Sequence, residues 1–117
     1  MNKEKTIREM INEYQNEILK GELQPQRARV ILIELSSLIG NLNDKIRVAD
    51  MEFNKVLMAC YESEEKANRA KIKAEISPEF EAKRIARDTK DLTIELIRSL
   101  KYFMKSFEEE YRAGRNV

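Results

Sequence analysis

The residue types that most often perform acid–base, nucleophilic and metal chemistry are scarce in this chain of 117 residues, which contains no histidine and one cysteine, Cys60. Histidine is the side chain that most readily changes charge near neutral pH and the commonest metal ligand, and a cysteine nucleophile needs an activating base. A single cysteine excludes an intramolecular disulfide, and we interpret Cys60 as a small buried apolar residue. We therefore predict no catalytic residue, metal site or cofactor, and we do not expect an enzyme.

Carboxylates occur in two groups that resemble, at first sight, a site for a hard metal ion: residues 108–110 and residues 62, 64 and 65. Three consecutive side chains on a helix, as at 108–110, point in three directions and cannot converge on one ion. In the hairpin expected below, neither group lies near the other. Both groups are therefore interpreted as solvated helix faces.

Basic side chains concentrate in residues 66–90, which hold 8 basic and 4 acidic residues for a net charge of +4, although the whole chain has a net charge of only +1. Such a cluster could contact phosphates or an acidic protein surface. The alternative is that a weakly packed helix needs a solvated face, for which Lys and Arg are good helix formers. The candidate contact residues are Lys66, Arg69, Lys73, Lys83, Arg84, Arg87 and Lys90.

The helices that position these residues are predicted from a row of apolar and small residues spaced alternately four and three positions apart. We call this row the seam. An average step of 3.5 residues is typical of a helix that lies along another helix. After Val56 the seam residues become small, so that part buries little apolar area per turn. The seam consists of Ala28, Leu32, Leu35, Ile39, Leu42, Ile46, Ala49, Phe53, Val56, Cys60, Ser63, Ala67, Ala70 and Ala74.

The high charged fraction of 37% and the presence of only three Gly and two Pro favour long helices in a single domain. We predict a short helix at 3–20, a seam helix at 25–76, a C-terminal helix at 78–112 and a loose tail at 113–117. The alternative for the seam helix is a kink at 40–44, where Gly, Asn and Asp weaken helix formation.

The predicted fold class is all-α, a long antiparallel helical hairpin with a short N-terminal helix in a coiled-coil-like, oligomeric bundle. Because residues 42–76 and 78–112 are equally long, a hairpin about Ser77 and Pro78 would place Leu42 near Arg112 and Ala74 near Phe80. That register brings the bulky halves of the two helices together.

Both ends of the expected core have more apolar residues than packing along one seam would bury, which favours self-association or a protein partner. The candidate interface residues are Val30, Ile31, Ile33, Leu38, Ile97, Tyr102, Met104 and Tyr111.

Residues 96–112, with aromatic and Leu positions followed by acidic residues and Arg, resemble the endings of small helical proteins from phage and prophage early regions. This resemblance implies a protein that accompanies replication, recombination or host-takeover functions. It transfers no functional residue to this chain.

The first functional hypothesis is a non-enzymatic helical interaction module that binds a protein partner or a second copy of itself. Such a module could act as a phage-encoded inhibitor or accessory factor of a nucleic-acid-processing machine. The alternative is a nucleic-acid-binding accessory protein that contacts phosphates through residues 66–90. No apolar run is long enough to cross a bilayer and no signal-peptide pattern precedes the first helix. We therefore expect no membrane partner and a cytoplasmic location, which is the host cytoplasm if the protein is phage-encoded.

Overall fold

The computed structural model describes residues 5–64 and 66–115, and these residues form helices without any strand. The four helices are α1 (Ile7–Leu19), α2 (Pro25–Ser63), α3 (Ala67–Glu75) and α4 (Pro78–Arg115). The all-α prediction is therefore confirmed, with two long helices that pack against each other. Residues 3 and 4 of the predicted first helix and residues 116 and 117 of the predicted tail lie outside the described residues.

Helix α1 begins at Ile7, later than predicted, because the preceding Thr6 is its N-cap. Thr6 has an extended backbone, and its hydroxyl accepts a hydrogen bond of 3.1 Å from the backbone N–H of Glu9. A side-chain oxygen at this position satisfies a donor that has no partner within the helix. At the other end, Gly21 has a positive φ of 74°, a conformation that glycine favours after the end of a helix, and Pro25 then starts α2.

Helix α2 continues through Gly40 and ends at Ser63, so the helix is not broken at 40–44, the alternative site, and the predicted continuous helix at 25–76 is wrong. The interruption lies instead between Ser63 and Ala67, where Lys66 has an extended backbone. Glu62 and Glu64 place negative charge near the negative end of the α2 dipole, and no basic residue occupies its last turn. Small seam residues there bury too little apolar surface to overcome this electrostatic cost.

Ser77 and Pro78 separate α3 from α4 as predicted. The Ser77 hydroxyl donates to the carbonyl oxygen of Ala74 at 2.6 Å and accepts from the backbone N–H of Phe80 at 3.2 Å. One side chain therefore closes the end of α3 and caps the start of α4, while Pro78 occupies the first helical position.

The tail prediction is wrong for residues 113–115, because α4 extends to Arg115. Gly21 is the only residue with positive φ among the described residues, so Gly114 keeps an ordinary helical backbone and does not stop the helix.

The Cα positions form two compact units, unit 1 from residues 1–39 and 91–117 and unit 2 from residues 40–90. Unit 1 has a core of large aliphatic side chains together with the fully buried Thr93. Its other buried residues are Ile11, Ala28, Ile31, Leu35, Leu96 and Leu100.

Unit 2 has a core of Phe53, Cys60, Ala70 and Ala74, with Phe80 packed against it. Each member of the predicted seam from Ala28 to Cys60 is buried or half-buried, and so are Ala70 and Ala74, whereas Ser63 and Ala67 at the interruption are exposed. The seam prediction is therefore confirmed except at the interruption.

The predicted hairpin register agrees with the structure only near the turn, where Phe80 packs against the cluster that contains Ala74. Farther from the turn it is wrong, because pairing Leu42 with Arg112 would have placed Asp50 opposite Met104, but Asp50 pairs with Arg87 at 2.8 Å. The register differs because α3 folds as a separate helix, so the turn of the hairpin includes the whole segment from Glu64 to Ser77.

Candidate interaction surfaces

Unit 1 contains an open hollow with a volume of about 370 Å³, formed by the first turns of α2 and the C-terminal half of α4. Pro25 fixes the start of α2, so Gln26 and Arg29 lie one turn apart along the rim. Met104 and Phe107, three residues apart on α4, share a helix face and provide the apolar part of the hollow. The six lining residues are Pro25, Gln26, Arg29, Met104, Phe107 and Glu108.

The start of α2 is held to α1 by a bidentate ion pair next to this hollow. The Nε and a terminal guanidinium nitrogen of Arg27 donate to the two carboxylate oxygens of Glu17 at 2.6 and 3.0 Å. The guanidinium also lies 5.9 Å from the centroid of the Tyr14 ring. A planar fork matched to a carboxylate fixes orientation as well as charge, so the pair orders the turn between the two helices.

This ion pair shifts the pKa values of both partners. Hydrogen bonds from Arg27, together with the nearby positive charges of Arg27 and Lys20, lower the pKa of the Glu17 carboxyl below its ordinary value. The hydrogen bonds to Glu17 raise the pKa of Arg27 in turn. This pair was not among the predicted contacts, although a Glu near the end of one helix and an Arg near the start of the next, across a short turn, is a recognisable signal.

In unit 2, an aromatic pair and a cation cover the alanine-rich core. The Phe53 and Phe80 ring centroids lie 5.3 Å apart with an interplanar angle of 47°, a tilted arrangement that favours edge-to-face attraction. The ammonium group of Lys83 lies 4.6 Å from the centroid of the Phe53 ring. Lys83, predicted to contact phosphate, therefore makes a cation–π contact within the unit.

Two further predicted contact residues form ion pairs within unit 2. Arg87 donates to one Asp50 carboxylate oxygen at 2.8 Å, and Lys73 lies 3.5 Å from a carboxylate oxygen of Glu64. The second oxygen of Asp50, Oδ1, is buried without a hydrogen-bond partner among the described residues. The charge of Arg87 therefore already compensates a half-buried carboxylate, which differs from the predicted contact with phosphate.

The predicted basic surface is thus partly engaged within unit 2. Five of the seven predicted residues are exposed and Lys83 and Lys90 are half-buried, while Lys73, Lys83 and Arg87 also contact side chains of their own unit.

The candidate interface residues divide in a similar way. Ile31 is fully buried in the core of unit 1, so its assignment to an interface is wrong; it lies on the same face of α2 as Leu35. Leu38, Ile97 and Met104 are half-buried, and Met104 lines the hollow. The exposed members are Val30, Ile33, Tyr102 and Tyr111.

The remaining candidates for chemistry stay dispersed. Cys60 is buried in the core of unit 2, as predicted. Among the described residues, no group of three or more Cys, Asp or Glu side chains is arranged to hold a metal ion. None of the described helices is both long and apolar enough to span a membrane.

The fold and surfaces define an all-α protein with apolar side chains exposed on several helices. No protein-family model, curated protein or solved structure matches the chain.

Proposed function

We propose that this chain is a non-enzymatic helical module that binds another protein. The observation that supports the proposal best is the hollow of unit 1, which combines the aromatic ring of Phe107 and the side chain of Met104 with charged groups of both signs. Protein interfaces typically place a bulky apolar side chain in such a depression and surround it with polar contacts.

The chemistry of the hollow indicates the kind of partner. Its volume of about 370 Å³ lies at the small end of the range for ligand pockets, which suits one large side chain better than an extended cofactor. Methionine adapts its shape to different apolar groups, and Arg29 and Glu108 can pair with a carboxylate and an ammonium on either side of the inserted group. The expected partner is an amphipathic helix with one apolar anchor flanked by charges.

The resemblance of residues 96–112 to phage and prophage early-region proteins refines the proposal, because Met104, Phe107 and Glu108 fall in that segment. The partner would then be a component of a nucleic-acid-processing machine, of the host or of the phage, which the chain inhibits or assists.

The test compares two aromatic residues on α4. Phe107 lines the hollow, whereas Tyr102 is 75% exposed outside it. Tagged wild-type protein should retain a specific partner from a bacterial host lysate, Phe107→Ala should lose it, and Tyr102→Ala should retain it, with bound proteins identified by mass spectrometry. Equal capture by the wild type and Phe107→Ala would overturn the role of the hollow.

The second candidate function, nucleic-acid binding through residues 66–90, is supported by the exposed side chains of Lys66, Arg69 and Arg84. It is weakened by the internal contacts of Lys73, Lys83 and Arg87, which leave fewer cations to neutralise phosphates. Cations that already pair with carboxylates of their own unit release fewer counterions on binding, so we expect only a modest dependence on salt.

A filter-binding or anisotropy experiment at low salt with single- and double-stranded DNA and RNA separates this candidate from the first. The Arg69→Glu and Arg84→Glu double variant should weaken binding about tenfold or more, and Arg98→Glu, an exposed change in unit 1, should alter it little. Absence of binding by the wild type at low salt would exclude this function.

A further inference from the structure

Helix α3 packs through one face and carries isoleucines on the opposite face. Ala70 and Ala74 are completely buried in the core of unit 2, whereas Ile72 is 62% exposed and Ile76, at the end of the helix, is 79% exposed. At about 100° per residue, Ile72 lies roughly 160–200° around the helix from the two buried alanines. The outer face of a helix that packs on one side is ordinarily polar, so these two isoleucines require another explanation.

A row of cations lies beside the two isoleucines. Arg69 precedes Ile72 by three residues and Lys73 precedes Ile76 by three residues, so each isoleucine has a cation as its neighbour on the helix surface. Residues 66–75 contain four basic side chains and one carboxylate, a net charge of +3, and all four basic residues are exposed. The ion pair that Lys73 makes within the unit is partly exposed at 3.5 Å, so it contributes little and can be exchanged for another anion.

This combination of side chains favours an anionic lipid bilayer over a nucleic acid. Phosphate groups attract Lys and Arg in both cases, but the backbone of a nucleic acid offers no apolar group to Ile72 and Ile76. The surface of an anionic bilayer offers negative headgroups to the cations and, directly below them, acyl chains to the isoleucines.

The size of the surface favours a bilayer over a protein partner as well. A stable protein interface buries about 800 Å² on each partner. Helix α3 has nine residues, is about 14 Å long and is already packed on its inner face, so its outer face falls short of that area. A bilayer needs no complementary groove, since each inserted apolar side chain and each adjacent cation adds to the attraction.

We propose that the outer face of α3 binds the surface of an anionic lipid bilayer, with Ile72 and Ile76 inserted among the headgroups and Arg69 and Lys73 against the lipid phosphates. No spanning segment is needed, because a helix of this kind lies in the plane of the interface, and the proposal replaces the expectation of no membrane partner. The α3 surface belongs to unit 2 and the hollow to unit 1, so each of the two proposed surfaces can be tested without the other.

Co-sedimentation with lipid vesicles at low salt tests the proposal. Wild-type protein should bind vesicles of equal parts phosphatidylcholine and phosphatidylserine, and it should bind vesicles of phosphatidylcholine alone far more weakly, because a neutral surface does not attract the cations. The double variant Ile72→Ser with Ile76→Ser should bind the anionic vesicles at least about tenfold more weakly, since both apolar contacts are lost. The matched control, Leu19→Ser with Tyr102→Ser, removes two apolar side chains of similar exposure from unit 1 and should bind like wild type.

Charge is tested separately. Arg69→Glu should weaken binding to the anionic vesicles, and added salt should weaken binding of the wild type, because both reduce the attraction between cations and headgroups. Arg98→Glu, an exposed change in unit 1, is the control and should have little effect. Circular dichroism must show unchanged helix content in every variant.

Absence of binding to the anionic vesicles at low salt would overturn the proposal. Equal binding by the wild type and the isoleucine double variant would show adsorption through charge alone and would also overturn it, as would equal binding to the neutral vesicles. Self-association or binding of DNA or RNA that depends on these residues, without binding of vesicles, would assign the outer face of α3 to that occupant instead and overturn the proposal.

Discussion

Units 1 and 2 share the two long helices but have cores of different chemistry. Unit 1 buries several large side chains completely, among them Ile11, Leu35 and Leu100, whereas unit 2 buries Leu42 to the same extent and two of the four residues of its Phe53 cluster are alanines. Complete burial of a Leu or Ile side chain contributes about 1.5–3 kcal/mol, and a methyl group contributes much less. The same helical period can therefore produce a strongly stabilised core and a weakly stabilised one, depending on side-chain volume.

The largest expected effect comes from removing volume in the core of unit 1. Leu35→Ala should lower the free energy of unfolding by about 2–5 kcal/mol, because it removes buried methyl groups and leaves a cavity. Leu19→Ala, which truncates a mostly exposed leucine on α1, should change it by less than about 0.5 kcal/mol. Urea unfolding measures both values, and similar losses in the two variants would contradict the assignment of the core.

Adding side-chain volume to the core of unit 2 should lower the free energy of unfolding by a smaller amount than Leu35→Ala does. Ala74 is completely buried against Phe53 and Cys60, so Ala74→Leu should destabilise by about 1–3 kcal/mol through overpacking. Ala67→Leu, at the exposed first position of α3, is the control and should have little effect. Hydrogen exchange should show faster exchange across α3 in Ala74→Leu only. Equal exchange in both variants would mean that α3 is not packed through Ala74.

Much of this architecture follows from local signals in the sequence. The alternation of three and four identifies the core face of α2, Gly21 with Pro25 marks the first turn, and Ser77 with Pro78 marks the last. Each of these signals depends on only a few neighbouring residues, and for that reason each is confirmed.

The register of the hairpin and the interruption of the seam helix could not be predicted in the same way. Both depend on a balance between weak packing of small residues and unfavourable charge around Glu62 and Glu64, which periodicity does not measure. The internal partners of Lys83 and Arg87 depend on that register, so they could not be predicted either. The hollow beside Phe107 depends on how α2 and α4 are aligned, which has no local signal.

The pair of Asp50 and Arg87 tests whether electrostatic contacts add to the weak core of unit 2. Arg87→Ala should lower the free energy of unfolding by about 1–2 kcal/mol, because it leaves a half-buried carboxylate with one oxygen already unpartnered. Arg98→Ala breaks an exposed pair with Glu95 on the same helix and should cost less than about 0.5 kcal/mol. A double-mutant cycle with Asp50→Ala measures the coupling, and a coupling near zero would show that the pair does not stabilise unit 2.

The smallest effect is expected at the edge of unit 1, where Arg27 lowers the pKa of Glu17. A carboxyl whose pKa is lower in the folded than in the unfolded state contributes stability at pH values above its unfolded pKa, and this contribution is lost as pH falls through the folded pKa. The unfolding midpoint of wild-type protein should therefore exceed that of Glu17→Gln at pH 7, and the difference should shrink towards zero at acid pH. In an Arg27→Gln background most of the pH-dependent difference should be absent at all pH values, because the guanidinium that lowers the pKa has been removed. A difference between wild type and Glu17→Gln that stays constant from pH 7 into the acid range would show that the substitution acts through packing, and that the bidentate pair does not hold α1 to α2 through its charge.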